Sequence, residues 1–351
     1  MSGRFVIAIS WPPSKKELNR ISKIVSSKCK IVYPKTYSVE DFIIVAENAD
    51  AIIGGYIPQP VIDAARKLKM VQVFHTGIAA ARADEPDLGF SLSSLKERGI
   101  LLGNANGSNS TAIAEHAFAL LLVMAKRIFQ SHHAVSSGEP MPRTSKNFSV
   151  ELSGKTIGII GLGHIGIEIS KRAKAFNMRV IGVKRDPKKP TAESVDIDFI
   201  GSSADLLSVL KESDFVVVAV PLTKETEGLI GVRQLSSMKK SAYLINVSRA
   251  MIIDEKALKR ALVENWIAGF GSDAWYPPST GREQWVGGMS LHFAVPSWEG
   301  IHKLQNVVAT AATAAYTRET IDNVFKVCFE NVDMLARGLT PKYLVDIDRG
   351  Y

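Results

Sequence analysis

The sequence predicts an α/β protein made of two parallel-sheet units. Three observations carry that reading. Short apolar runs alternate with helical patterns through the first hundred residues, an order that calls for a parallel sheet with crossover helices. The same alternation restarts at Lys155. The chain has 351 residues, enough for about two domains at roughly 150 residues each.

In the first stretch, Phe5–Ile9, Ile31–Tyr33, Ala51–Ile53 and Val71–Phe74 read as strands. Leu18–Ser26, Val39–Ala46 and Pro60–Leu68 read as helices, the last opening on proline, which a first helical turn tolerates. Asn104–Ser110 is rich in Gly, Asn and Ser and reads as a linker. Thr111–Phe129 then reads as one long apolar helix, buried on most faces. Beyond Lys155, strands are expected at Thr156–Ile160, Arg179–Val183, Asp214–Val220, Ala242–Val247 and Ile267–Asp273. A helix from Asp254 to Glu264 has Asp254 as its expected N-cap. The aromatic, Pro/Gly-rich stretch from Tyr276 to Leu304 reads as a long functional loop. A last amphipathic helix places Ile321, Val324, Phe325, Cys328, Val332 and Leu335 on one stripe, with Gly338 and Pro341 as stops.

Apolar residues at 46% and charged ones at 22% exclude disorder and fibrous repeats. The most apolar stretch, Thr111–Met124, carries Glu115 and His116 and is too short to span a bilayer. The apolar run at Phe5–Ile9 is too short for a secretory leader. Two cysteines, Cys29 and Cys328, make no disulfide framework and fit a reducing compartment, so a cytoplasmic protein is expected. The net charge, 43 − 35 = +8, permits anionic partners. The basic residues are scattered in pairs without a nucleic-acid motif, so no nucleic-acid partner is expected. Nor is a bound metal.

Gly161-Leu-Gly163-His164-Ile165-Gly166 follows an expected strand and opens an expected helix. In that context Gly161 allows the tight turn, Gly163 lets a pyrophosphate approach the backbone, and Gly166 lets the helix pack on the sheet. The plain alternative is a tight turn without a ligand. The next strand ends in Lys184-Arg185, where an NAD site normally has an acid for the ribose 2′-hydroxyl. Two cations suit a 2′-phosphate, which points to NADP(H), with NAD(H) still possible. A solvated basic pair is the alternative. Asp186, ahead of Pro187, reads as part of a turn.

Several segments in order resemble the D-isomer-specific 2-hydroxyacid dehydrogenases. They are Gly161–Gly166, the loop from Val220 and Pro221 through Thr226 to Ile230, Asn246-Val247-Ser248-Arg249 with Asp254–Leu258, Gly269–Asp273, and Asn109 through Glu115-His116. The resemblance implies two doubly wound, Rossmann-like parallel-sheet domains with the active site in the cleft between them. Residues 1–105 with 313–351 would form the substrate domain, and 106–312 the dinucleotide-binding domain. It implies that Arg249 clamps a substrate carboxylate and polarises the carbonyl, and that backbone N–H groups of Thr76 and Gly77 hold the carboxylate. It further implies that Asp273 lies by the nicotinamide and that Val247 and Thr226 line the cofactor. The substrate class is a small 2-oxo or 2-hydroxy carboxylate, and the long helix implies a homodimer.

The sequence departs from that family at the proton donor. The usual histidine position is Ala312, and the acid that pairs with it is Pro278. A general acid is worth about 10²–10⁴ in rate, so the proton has to come from solvent or from another histidine, His75, His292 or His302, each of which reads otherwise as a packed or surface residue. His132 and His133 read as solvent-side residues. The functional reading is an NAD(P)-dependent oxidoreductase of 2-oxo acids with an altered donor site. The alternative is a cofactor-binding sensor with little turnover.

Overall fold

The computed structural model describes residues 4–78, 88–145, 148–189, 195–276, 284–286, 289–291, 297 and 299–349. The chain divides into two compact units. One comprises Met1–Asn109, Trp285–Ser290 and Thr317–Tyr351; the other comprises Ser110–Gln284 and Leu291–Tyr316. Both are parallel α/β sheets of Rossmann-like type.

The first unit alternates β1 (Phe5–Ile9), α1 (Lys15–Ile24), β2 (Cys29–Val32), α2 (Val39–Ala46), β3 (Ala51–Gly54), α3 (Gln59–Ala64), β4 (Met70–Val73), α4 (Leu92–Glu97) and β5 (Leu101–Gly103). The strands pair in the order β2-β1-β3-β4-β5. All pairs are parallel, with Ile7 opposite Ala51 and Ala51 opposite Met70. Strands covered on both faces read as unbroken apolar runs. Ile7, Ile9, Ile52 and Ile53 are accordingly fully buried.

The second unit runs α5 (Ser110–Ala125), α6 (Ile128–Ser137), β6 (Thr156–Ile160), α7 (His164–Ala175), β7 (Arg179–Val183), β8 (Phe199–Gly201), α8 (Leu206–Glu212), β9 (Phe215–Val218), α9 (Val232–Ser237), β10 (Tyr243–Asn246), α10 (Glu255–Val263) and β11 (Gly269–Ser272). The short pair β12 (Gln284–Val286) and β13 (Met289–Leu291) lies mostly in the Trp285–Ser290 piece of the first unit, and β14 (Val307–Ala309) is the last strand of the second. Its parallel sheet has the order β14-β11-β10-β9-β6-β7-β8. The order reverses between β6 and β9, and ligands bind at the carboxyl ends of strands at such a switch point. Finally α11 (Arg318–Ala336) returns to the first unit. There Cys328, Phe329 and Val332 pack with Ile7, Ile9 and Met70.

Several expectations need correction. The first helix starts at Lys15 rather than Leu18, because Ser14 and Glu17 form a capping box. Such a pair satisfies two backbone donors at once. The third helix stops at Ala64 rather than Leu68, since Ala65 leaves helical geometry at ψ 83. The single helix expected over 111–129 is two. Arg127 adopts a left-handed φ of 54, the chain turns there, and Ile128 and Phe129 are exposed. Ile321 is 55% exposed and lies off the buried stripe of the last helix. The segment around Pro278, together with His292, lies outside the described residues. Among the described residues no helix is long and apolar enough to cross a membrane.

Candidate functional site

The turn between β6 and α7 is built from its three glycines. Gly161 has a φ of 106, and a Cβ there would meet the Ala219 carbonyl oxygen at 2.5 Å. A Cβ on Gly166 would fall 2.1 Å from the Gly161 carbonyl oxygen, so the helix could not start so close to the strand. Gly163 is different: a Cβ there meets nothing within 4 Å. It is the N-cap of α7 and gives the helix no side-chain cap. The first-turn N–H groups are therefore left for an outside acceptor, which is what an anion at a helix N-terminus uses. This cradle fits a dinucleotide pyrophosphate. His164 is exposed at its mouth and Ile165 half-buried beneath it.

Lys184 and Arg185 follow β7 directly. Lys184 Nζ donates to the Lys189 carbonyl at 2.8 Å, and Arg185 pairs with Glu225 at 3.0 Å. Both partners of that pair are about half exposed or more, and such pairs contribute about 0–1 kcal/mol. A phosphate could displace Glu225 at little cost. Asp186 does belong to a turn, its carboxylate accepting from Lys188 N–H.

On the other side of the switch point, Thr226 Oγ1 donates to the Pro221 carbonyl at 2.6 Å and closes the loop after β9. Ser248 Oγ donates to the Val220 carbonyl, tying that loop to the segment after β10. Val247 is buried. Arg249 is exposed, and its Nη1 donates to the Ser248 carbonyl at 3.0 Å. Asn246 holds this segment in place, donating to the Arg249 carbonyl at 3.1 Å and accepting from Ser248 N–H at 3.0 Å.

Asp273, just past β11, is the most heavily engaged acid here. Its Oδ1 accepts from Thr310 Oγ1 at 2.6 Å and from Thr313 N–H at 3.1 Å. Its Oδ2 accepts from Ala314 N–H at 2.8 Å. The two consecutive N–H groups converge on the carboxylate just after Ala312, which sits at a φ of 55, as in the backbone nests that bind anions. His116 of α5 completes the set, with Nε2 at 2.9 Å from Thr310 Oγ1 and 3.5 Å from Asp273 Oδ1. Tyr276 donates to the Ile253 carbonyl at 2.8 Å. Burial, with Glu255 and Asp254 nearby, pushes its phenol well above the usual range, so it stays a neutral donor.

Along one sheet edge the order is therefore Asp273, Val247 to Arg249, Pro221 to Thr226, Gly161 to Gly166, then Lys184 and Arg185. These are the ends of β11, β10, β9, β6 and β7, which are neighbours in that order. Thr76 and Gly77 follow β4 in the other unit, where Thr76 Oγ1 accepts from Asn109 at 2.8 Å. His75 is half-buried. His302 packs edge-on against Trp275 with its Nδ1 buried. His132 and His133 are exposed. In the sequence His116 is only the end of the Asn109-to-His116 segment that opens the long helix, and nothing there points to its partners Thr310 and Asp273.

Residues 118–313 match the model of the NAD binding domain of D-isomer specific 2-hydroxyacid dehydrogenases. The chain belongs to this family. It is 37% identical over 297 residues to a glyoxylate reductase of Thermococcus kodakarensis, covering 83% of this chain and 80% of that one. It is 35% identical over 289 residues to a D-3-phosphoglycerate dehydrogenase of Archaeoglobus fulgidus, covering 82% of this chain but only 49% of that longer protein. A solved acyclic imino acid reductase, described in complex with NADPH and D-Arg, superposes with a TM-score of 0.72. It is 25% identical and covers 97% of this chain and 99% of its own. The family's cofactor domain is thus the one that carries the glycine cradle described above.

Proposed function

We propose that this family member reduces a small 2-oxo carboxylate with NADPH, in the cytoplasm and as a homodimer. The observation that carries the reading is the row of strand ends. A cation pair, a helix N-terminus, two loops and an acid follow one another as the 2′-phosphate, pyrophosphate and nicotinamide of a dinucleotide would. The cofactor supplies the hydride when bound. Lys184 and Arg185 hold the 2′-phosphate and favour NADPH over NADH by about tenfold. The α7 N-terminus holds the pyrophosphate. Asp273, fixed by its nest, faces the nicotinamide.

Arg249 takes the substrate carboxylate and steadies charge on the carbonyl oxygen, since a planar guanidinium can serve both in two directions. Backbone N–H groups of Thr76 and Gly77 hold the same carboxylate; the substrate domain is 1–105 with 313–351, and the cofactor domain is 106–312. The dimer forms through α5, α6 and the following loop, where Ile128, Phe129 and Val135 are exposed.

Ala312, which carries only a methyl group, favours a second substrate class. A protonated 2-imino acid brings its own N–H, so hydride transfer to it needs no protein acid. The imino acid reductase is named for such a substrate. A spectrophotometric screen of 2-oxo acids with NADPH and NADH, with and without added ammonia or methylamine, tests both. Turnover of a 2-oxo acid that Arg249→Ala abolishes supports the first reading, and turnover only with amine supports the second. NADPH binding without turnover of any substrate leaves the sensor reading. Failure to bind either cofactor overturns all three.

A further inference from the structure

The acid at the end of β11 is wired to a histidine, and the wiring has a direction. The Thr310 hydroxyl has one proton, and at 2.6 Å from Asp273 Oδ1 it gives that proton to a carboxylate that can only accept. His116 Nε2, 2.9 Å from the same hydroxyl, must therefore carry a hydrogen. A second proton can add at Nδ1 without disturbing either contact. The ring is 21% exposed, so solvent can deliver that proton. Gaining it places a positive charge 3.5 Å from the Asp273 carboxylate.

We infer that His116 is a positioning residue that sets how strongly this site distinguishes oxidised from reduced cofactor. The inference rests on the reading that Asp273 faces the nicotinamide. An oxidised nicotinamide ring is cationic and is attracted by the carboxylate's charge, which its neutral hydrogen-bond donors do not cancel. The reduced ring is neutral and gains little from it. A proton on His116 offsets the carboxylate and removes the preference. By linkage, binding of the oxidised cofactor expels that proton.

The surrounding charges leave Asp273 as the acid that answers His116. Glu115, its neighbour on α5, is held by Arg172 of α7 at 2.9 Å. Arg172 and Lys171 of α7 both pair with Glu168, and Lys174 pairs with Asp198. His164 opens α7 at the glycine loop. On β10 the titratable side chain is Tyr243, at the start of the strand, with Arg249 beyond its far end; β14 has none. His132 and His133 lie on α6.

The test is fluorescence titration of NADP⁺ and NADPH near about pH 6 and about pH 8.5, which bracket ordinary histidine chemistry. In the native protein, NADP⁺ affinity relative to NADPH should fall roughly tenfold on acidification. His116→Gln keeps a donor for Thr310 but cannot take the proton, so its ratio should stay at the high-pH value. Calorimetry in buffers of different ionisation heat serves where that variant does not fold. The native protein should release more protons on binding NADP⁺ than NADPH. Phosphate protons cancel, being common to both ligands. A pH-independent ratio, an equal swing in His116→Gln, or equal proton release overturns the inference while leaving the functional reading intact. Absence of cofactor binding overturns that reading instead.

Discussion

The first strand of each unit feeds a helix, and the two turns have opposite chemistry. After β1 the chain runs Ser10-Trp11-Pro12-Pro13-Ser14, and the helix is capped from within. Ser14 Oγ accepts from Glu17 N–H at 3.2 Å, and the Glu17 carboxylate accepts from Ser14 N–H at 2.9 Å. A carboxylate already occupies the positive end of that helix. After β6 the turn is Gly161–Gly166, the helix has no side-chain cap, and its donors face outward. The same architecture is thus closed in one unit and receptive in the other. A helix N-terminus becomes a ligand site when the chain declines to cap it.

The largest effect should come from making the receptive turn resemble the closed one. Gly163→Asp adds a side chain where there is open space and supplies a preferred N-cap. We expect NADPH affinity to fall by about 100-fold or more, because a carboxylate displaces phosphate, while the melting temperature holds or rises. Titration alongside a thermal melt checks both. A variant that binds normally would mean the phosphates do not sit on α7.

Acid should separate the two units next. In the second unit Glu168 titrates low, chiefly through the Lys171 hydrogen bond, with burial opposing and Arg172 helping. Burial would raise Asp198 and Asp214. Lys174 with Val180 N–H, and Lys239 with Thr156 N–H, outweigh it and hold both below the usual range. In the first unit the comparable acid is Glu17, lowered mainly by the Ser14 hydroxyl. A carboxyl group whose pKa is lower folded than unfolded contributes stability above its unfolded value. That contribution is lost as pH falls through the folded one. Below about pH 4, hydrogen exchange should therefore open β6, β7 and β9 before β1 and β3. The reverse order would sink the account.

The smallest effect concerns the closed turn. Ser14→Ala should cost about 1 kcal/mol, read as a lower denaturation midpoint, and leave cofactor affinity unchanged.

What the sequence made legible was what local chemistry decides. The bounds of β7, the glycine turn and the Asp254 cap, whose carboxylate accepts from Ala257 N–H, follow from neighbouring residues alone. The Ser14-to-Glu17 capping box was equally local and could have been read. The break at Arg127 was not, because a left-handed arginine carries no glycine or proline to announce it. The edge strand Phe199–Gly201 is three residues long and partly exposed, too short for an alternation to register. His116 meets Thr310 across 194 positions. No spacing rule reaches that far, and its pairing depends on where α5 crosses the ends of β11 and β14.

The helix α11, near the end of the chain, supplies Phe329 and Val332 to the core that β1 and β4 begin. Its Asn331 donates to the buried Gln72 of β4 at 2.7 Å. During translation the sheet that emerges first therefore lacks one of its covering layers until the ribosome has finished the entire second unit. At about 5–20 residues per second that interval is roughly 10–40 s. Meanwhile the second unit emerges in two successive stretches parted only by Trp285–Ser290, and it can close on itself. Of the two units, the one synthesised earlier is thus the one that finishes folding later, and it spends the interval with apolar strands within reach of chaperones.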